Sequence, residues 1–342
     1  MIKLSKRLQT ICDLVPSGVR ICDVGCDHAY VDIRLLQEGR ITGALAMDVA
    51  DGPLAPAKAN LELTELYDTG RCELRKSNGL AAYEPGEADV MICAGMGGIL
   101  MESLLEAEPE KAASFRELLL SPQSEIHLVR DWLLRNGFLI TEESFLEDEG
   151  KYYTVMRCVP GNSDNAETID ESSALAEEKT GMSVPGADPD ADQNAVHVRS
   201  MCCQLRPAWE EMADRIDVLP EEILQKANVN RESVCKLLRE PSFQSMVEKL
   251  YGPCILKTFF EGKKDADDIE TIDAVGRSET AASFERFLVE TLRGRLRIAG
   301  ELTRKDALQQ NENLQHRLQE IQTDIGVFQT LLAVKIVLGI AA

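Results

Sequence analysis

Residues Asp23 to Tyr30 read Asp-Val-Gly-Cys-Asp-His-Ala-Tyr and follow a short apolar stretch, Val19 to Cys22. A glycine-bearing turn after a first strand lets backbone N–H groups and the next helix N-terminus face a nucleotide-type ligand. Gly25 permits close backbone approach, and the Asp23 carboxylate can accept from loop amides or from an ammonium group on the ligand. Asp27 and Ala29 stand where such turns usually carry further glycines. An acidic side chain is therefore placed where the ligand or its reaction partner should lie.

Three further groups follow later strands. Asp48 comes about twenty residues on, the spacing expected of an acid that bonds both hydroxyls of an adenosine ribose. Asn78 and Gly79 follow a third strand, and the Asn78 side-chain oxygen can accept from an adenine amino group. Ala94-Gly95-Met96-Gly97-Gly98 follows a fourth and lacks the Lys-Ser/Thr ending of a P-loop. Its glycines suit a close backbone wall around a reacting centre, with Met96 as an apolar contact. Ordinary roles compete at each place: Asp48 or Asp27 as a helix cap, His28 bonded to a carbonyl, Tyr30 in the core, and the glycine run as a plain turn.

The elements that must hold these residues alternate. A helix over Leu4 to Leu14 stops at Pro16-Ser17-Gly18, and strands are expected at Val19 to Cys22, Gly43 to Met47, Arg71 to Lys76, Ala88 to Ala94 and Phe115 to Leu120. Helices are expected at Ala29 to Gln37, Pro53 to Leu66, Ile99 to Glu106 and Ser124 to Asn136. Two β-rich segments, Phe138 to Phe145 and Tyr152 to Val159, end the series. Repeated β-α units imply a parallel sheet, and two consecutive final strands imply an antiparallel pair at its edge.

The 342-residue chain carries a formal charge of −21, with its acidity densest in the middle, and this weighs against an anionic partner. Two basic groups run the other way: Lys3, Lys6 and Arg7, and Arg293 to Lys305 near the far end. Either can face phosphates. Ten cysteines lack paired C-x-x-C spacing, so neither disulfides nor a metal site is expected. No apolar stretch is long enough to span a bilayer and the start lacks a signal-peptide core, which points to the cytoplasm.

Together these pieces resemble a known family. Lys3-Leu4-Ser5-Lys6-Arg7-Leu8, Asp23-x-Gly25-x-Asp27-His28-Ala29-Tyr30, Asp51-Gly52-Pro53, Asn78-Gly79-Leu80, Ala94-Gly95-Met96-Gly97-Gly98 and Asp148-x-Gly150-Lys151-x-Tyr153 look like the bacterial TrmK family. Those proteins are S-adenosylmethionine-dependent methyltransferases that modify N1 of the adenine at position 22 of tRNA. The resemblance implies a Rossmann-like class I methyltransferase sheet with a terminal antiparallel strand pair, followed by an α-helical coiled-coil domain. It also implies a cofactor site of Asp23, Gly25, Asp27, Asp48, Asn78, Gly79, Ala94, Gly95, Met96 and Gly97. Asp27, His28 and Tyr30 would serve catalysis on a flipped-out base, and Lys3, Lys6 and Arg7 would meet tRNA. Asn78 stands where the family usually has aspartate and Asp48 where glutamate is common. Both keep an acceptor.

The expected organisation is a methyltransferase domain over residues 1–160, an acidic flexible linker over 161–198, and a helical domain over 199–342 with an acidic loop near 261–279. Within the last, helices are expected at Arg199 to Ile216, Pro220 to Ala227 and Arg231 to Leu250, stopping at Gly252-Pro253. Leu314, Leu318, Ile321, Ile325, Phe328 and Leu332 form a coiled-coil seam that allows a monomer or a dimer. Two other functions fit the same fold: methylation of a small molecule or a protein, and a non-catalytic cofactor-binding scaffold.

Overall fold

The computed structural model describes residues 2–161, 209–219, 221–226, 230–261, 272–303 and 312–340. Beyond Gly161, the expected linker lies outside them. The described chain gathers into two compact units. The first runs from the start to Glu143 and resumes at Tyr153; the second takes Ser144–Tyr152 and the helices from Trp209 onward. The tip of the last strand pair thus belongs with the helices rather than with the sheet.

The first unit begins with α1 (Lys6–Leu14), whose N-cap Ser5 accepts from the Leu8 N–H. It continues through β1 (Arg20–Val24), α2 (Tyr30–Gln37), β2 (Gly43–Asp48), α3 (Asp51–Leu63), β3 (Cys72–Lys76) and β4 (Val90–Ala94). Then come α4 (Gly98–Ala107), α5 (Pro109–Ala113), β5 (Glu117–Ser121), α6 (Ile126–Arg135), β6 (Phe138–Asp148) and β7 (Lys151–Pro160). The sheet order is β3-β2-β1-β4-β5-β7-β6, parallel from β3 to β5, with β7 antiparallel to β5. β1, β2, β4 and β5 are buried along nearly their whole length, as expected for parallel strands covered on both faces. Glu149 (φ 51°) and Gly150 (φ 74°) join β6 to β7 in a two-residue turn with both φ positive, the geometry that matches the strand twist. Strand order reverses between β1 and β4. In open α/β sheets a ligand crevice forms outside the carboxyl ends of the strands at such a point.

In the second unit, α7 (Trp209–Asp217), α8 (Glu221–Lys226), α9 (Arg231–Arg239), α10 (Pro241–Tyr251) and α11 (Pro253–Glu261) precede two long helices, α12 (Ile272–Thr303) and α13 (Glu312–Ile340). Its core joins Trp209, Leu238, Phe259, Phe284 and Leu331 with Phe145 from the hairpin tip. The Phe145 N–H donates to Thr280 Oγ1 of α12 at 3.2 Å, and the Tyr152 hydroxyl donates to Glu290 at 2.8 Å.

Two expectations are corrected and two features are added. The single helix over Arg231 to Leu250 is two, because Pro241 has no N–H to donate and forces Glu240 out of the helical region, at ψ 113°. Gly252-Pro253 ends one helix at φ 89° but also starts the next, since proline suits a first helical position. The acidic loop near 261–279 is helical from Ile272. The short α5 was not expected at all; Pro109 opens it.

Candidate active site

The first turn is built by strain and by backbone pairing. Gly25 and Cys26 both donate their N–H to the Met47 carbonyl, at 2.8 and 3.0 Å, tying the turn to the end of β2. Gly25 has φ 79°, Asp27 φ 46° and Ala29 φ 55°, so the chain turns left-handed at alternate residues. Asp27 and Ala29 occupy the places where the sequence lacks glycine yet adopt the backbone that glycine would give. The Asn60 side chain of α3 holds this conformation by donating to the His28 carbonyl at 3.0 Å. Consequently Asp27 and Tyr30 are exposed, His28 is half-buried, and the His28 and Tyr30 rings stack at 5.1 Å. His28 Nε2 lies 3.7 Å from the Asp27 carboxylate. Tyr30 is therefore not a core residue, and Asp27 does not cap α2, whose N-terminus has no side-chain cap.

Neighbouring turns close on the first. A Cβ on Gly25 would lie 2.7 Å from Met96 Cε, so the turns after β1 and β4 meet at the switch point. A Cβ on Gly95 would have the Arg7 guanidinium and the Gln123 amide at 3.9 Å. Gly98 packs directly on backbone, 2.5 Å from the Ser124 and Glu125 carbonyl oxygens by the same measure, and its N–H donates to Ser124 O at 2.8 Å. The glycine run thus forms a close backbone wall, and Gly97 also begins α4. At the other edge, Asp48 Oδ1 accepts from the Ala50 N–H at 3.2 Å in a local turn ahead of α3, whose N-cap is Ala50 and has no side-chain cap. Its backbone carbonyl accepts from Ser77, bringing the Asn78-Gly79 turn alongside. Asn78 is exposed at that rim, and buried Gly79 (φ 56°) packs on Leu104.

Electrostatics single out Asp23. It is only 6% exposed, and burial, then the charges of Asp32 and Asp48, raise its carboxyl well above the usual carboxylate range. Burial likewise raises the thiols of Cys22, Cys26, Cys72 and Cys93, which fill the space around it as neutral side chains rather than nucleophiles. Among the described residues no group of three or more His, Cys, Asp or Glu converges to hold a metal.

Of the three basic residues near the start, Lys3 and Lys6 are exposed, whereas Arg7 lies over the Tyr153 ring at 5.3 Å and beside Gly95. Arg7 thereby joins the site wall. Sequence reasoning missed Asn60, Asp32 and Gln123. Only Gln123 carried a signal: Pro122 right after β5 marks a turn on the carboxyl edge of the parallel sheet, where ligands bind.

Sheet order, switch-point crevice and glycine turns define a Rossmann-like class I methyltransferase. Residues 4–156 match the family model described as a methyltransferase domain. Over 238 residues the chain is 32% identical to the tRNA (adenine(22)-N(1))-methyltransferase of Bacillus subtilis (strain 168), covering 65% of this chain and 98% of that one. The chain belongs to that family, the TrmK methyltransferases. Two solved structures share the fold along nearly the full length. One is an uncharacterized protein from Listeria monocytogenes serotype 4b, at TM-score 0.60 and 20% identity, covering 96% of this chain and all of that one. The other is the B. subtilis M1A22 tRNA methyltransferase TrmK, at TM-score 0.56 and 22% identity, covering 97% and 99%.

Proposed function

We propose that this protein transfers a methyl group from S-adenosylmethionine to N1 of the adenine at position 22 of tRNA. The observation that carries the reading is the meeting of Gly25 with Met96 at the switch point, beneath a turn that presents Asp27, His28 and Tyr30 outward. The donor set fits the cofactor. Asp23 offers an acid for its ammonium, Asp48 for its ribose hydroxyls, and Asn78 an acceptor for its adenine amino group, around the turn where Gly25 lets Met96 approach. When bound, S-adenosylmethionine supplies an electrophilic methyl group on a sulfonium.

Adenine N1 carries its own lone pair, so the site needs alignment more than a base. The exposed Tyr30 ring and its stacked partner His28 offer a face for a base drawn out of its helix. Asp27 accepts from the adenine amino group and offsets the positive charge that develops on the methylated ring. Lys3 and Lys6 meet phosphates, and Arg7 supports the wall beside Gly95. No step calls on a metal. The reading places the protein in the cytoplasm, as a monomer or a coiled-coil dimer, with residues 1–160 as the methyltransferase domain, 161–198 as a flexible linker and 199–342 as a helical domain.

The test is to incubate the protein with unmodified bacterial tRNA and methyl-labelled S-adenosylmethionine, then digest the tRNA and identify the labelled nucleoside by mass spectrometry. Labelled 1-methyladenosine that disappears when adenine 22 is replaced is the expected result. Cofactor binding with no label in tRNA would move the acceptor to a small molecule or a protein, or make the chain a scaffold.

A further inference from the structure

This inference rests on reading Asp23 as the acid that meets the ammonium of S-adenosylmethionine, and it concerns a residue that reading does not use. Asp32 sits in the first turn of α2, 0% exposed, with both carboxyl oxygens enclosed. No N–H or O–H of another residue gives either oxygen a well-formed hydrogen bond. What faces them is the Asp23 carboxyl, together with the N–H of Asp32 itself.

The surroundings supply no cation to this pair. The titratable groups near enough to feel its charge include Cys22 and Cys26 from β1 and its turn, Asp48 from β2, Cys72 from β3 and Cys93 from β4. Only Asp48 among these is charged, and its sign is wrong. The nearby arginines are engaged elsewhere: Arg75 is held by Glu73 and Glu87, and Arg20 faces Glu73 at 3.9 Å. The start of α2 contributes about half a positive charge, which suits one carboxylate and not two. Two carboxyl groups side by side in such a dry site cannot both be ionised, so one proton lies between them. Burial raises both groups, in keeping with that arrangement.

We propose that Asp32 is a positioning residue of the cofactor site: it shares one proton with Asp23, and the hydrogen bond so formed points the free oxygen of Asp23 at the ligand. When a cation meets Asp23, the proton passes along that bond. The O–H on Asp23 breaks, the O–H on Asp32 forms, Asp23 is left as the anion, and no proton leaves the pair. Asp32 thus lets a buried acid switch to its charged form without exchanging a proton with water.

Infrared difference spectroscopy at neutral pH, without ligand, tests the shared proton directly. The wild-type protein is expected to show the carbonyl stretch of a buried protonated carboxyl, and Asp32→Asn to lose it, because an amide donates to an ionised Asp23. A wild-type spectrum without that band, or an Asp32→Asn spectrum that keeps it, would overturn the proposal. Calorimetric binding of S-adenosyl-L-homocysteine, with thermal melting of each variant, tests the positioning role. Asp32→Asn should bind within about threefold of wild type, whereas Asp32→Leu, which has no donor, should bind about tenfold more weakly at an undiminished melting temperature. A merely structural residue would instead lose melting temperature in both variants. Wild-type affinity in a folded Asp32→Leu would sink the positioning role. Failure of the wild-type protein to bind S-adenosyl-L-homocysteine would sink the cofactor reading, while the infrared result still judges the carboxyl pair by itself.

Discussion

Asp27 and Ala29 hold left-handed backbone angles that cost an L-residue on the order of 1 kcal/mol each, and the fold retains them. That backbone leaves the Asp27 carboxylate exposed, ahead of α2. Asp27→Ala is expected to lower kcat about hundredfold, the usual scale for one preorganised electrostatic group. Affinity for S-adenosyl-L-homocysteine should change little, and single-turnover kinetics beside calorimetry would separate the two effects. The sequence already showed that Asp27 stands in place of a turn glycine, and the left-handed φ at Asp27 agrees with that. It did not show Asp32 beneath. A lone Asp in the first helical turn reads as a dipole partner, and only the folded chain reveals that its neighbour is another acid.

At the scale of elements, the carboxyl-end turns are locked by backbone approach. Gly98 has an ordinary φ, so its need for glycine comes wholly from the two carbonyl oxygens against it. Gly98→Ala is expected to destabilise the protein by about 3 kcal/mol, read as a fall in the urea midpoint at unchanged slope. The loop bearing Asn78 is fixed differently, by Arg75 of β3 holding both oxygens of Glu87, at 2.7 and 2.8 Å. That bond lowers the Glu87 carboxyl from 4.5 to about 2. The folded value lies below the unfolded one, so the contribution is whole above about pH 4.5 and fades as pH falls toward about 2. Glu87→Gln should therefore flatten the melting-temperature profile across that window. Strand and helix order was legible because buried parallel strands read as short apolar runs between turn residues. The division at Pro241 was missed, although a proline inside a helical pattern marks it. The hairpin's allegiance to the helices was not, since Phe145 and Tyr152 look like ordinary strand residues until Phe284 and Glu290 are seen against them.

For the whole molecule, a net charge of −21 makes any contact with tRNA a matter of local clusters working against the overall field. Affinity for tRNA should fall steeply with added salt. Replacing Lys3 and Lys6 together by alanine should lower the slope of log affinity against log salt by about two, one for each phosphate no longer neutralised. An unchanged slope in filter-binding titrations would remove both lysines from the tRNA surface. The composition also misled about the middle of the chain, where acidity suggested a loop and Ile272 onward is helix, because charged residues spaced along a long helix look the same as those in a linker.

The boundary between the two units is crossed by the chain at Glu143–Ser144, at Tyr152–Tyr153 and again at Leu205–Arg206. The first two crossings are neighbouring strands of one hairpin, as a staple has two legs. Ser144–Tyr152 therefore reaches the second unit through both strands of the hairpin, whereas Arg206 onward reaches it through a single stretch of chain. The alignment with the B. subtilis enzyme leaves about a third of this chain unmatched while using nearly all of that one. A lineage could lengthen the third crossing by dozens of residues without inserting any into the strands of the catalytic sheet.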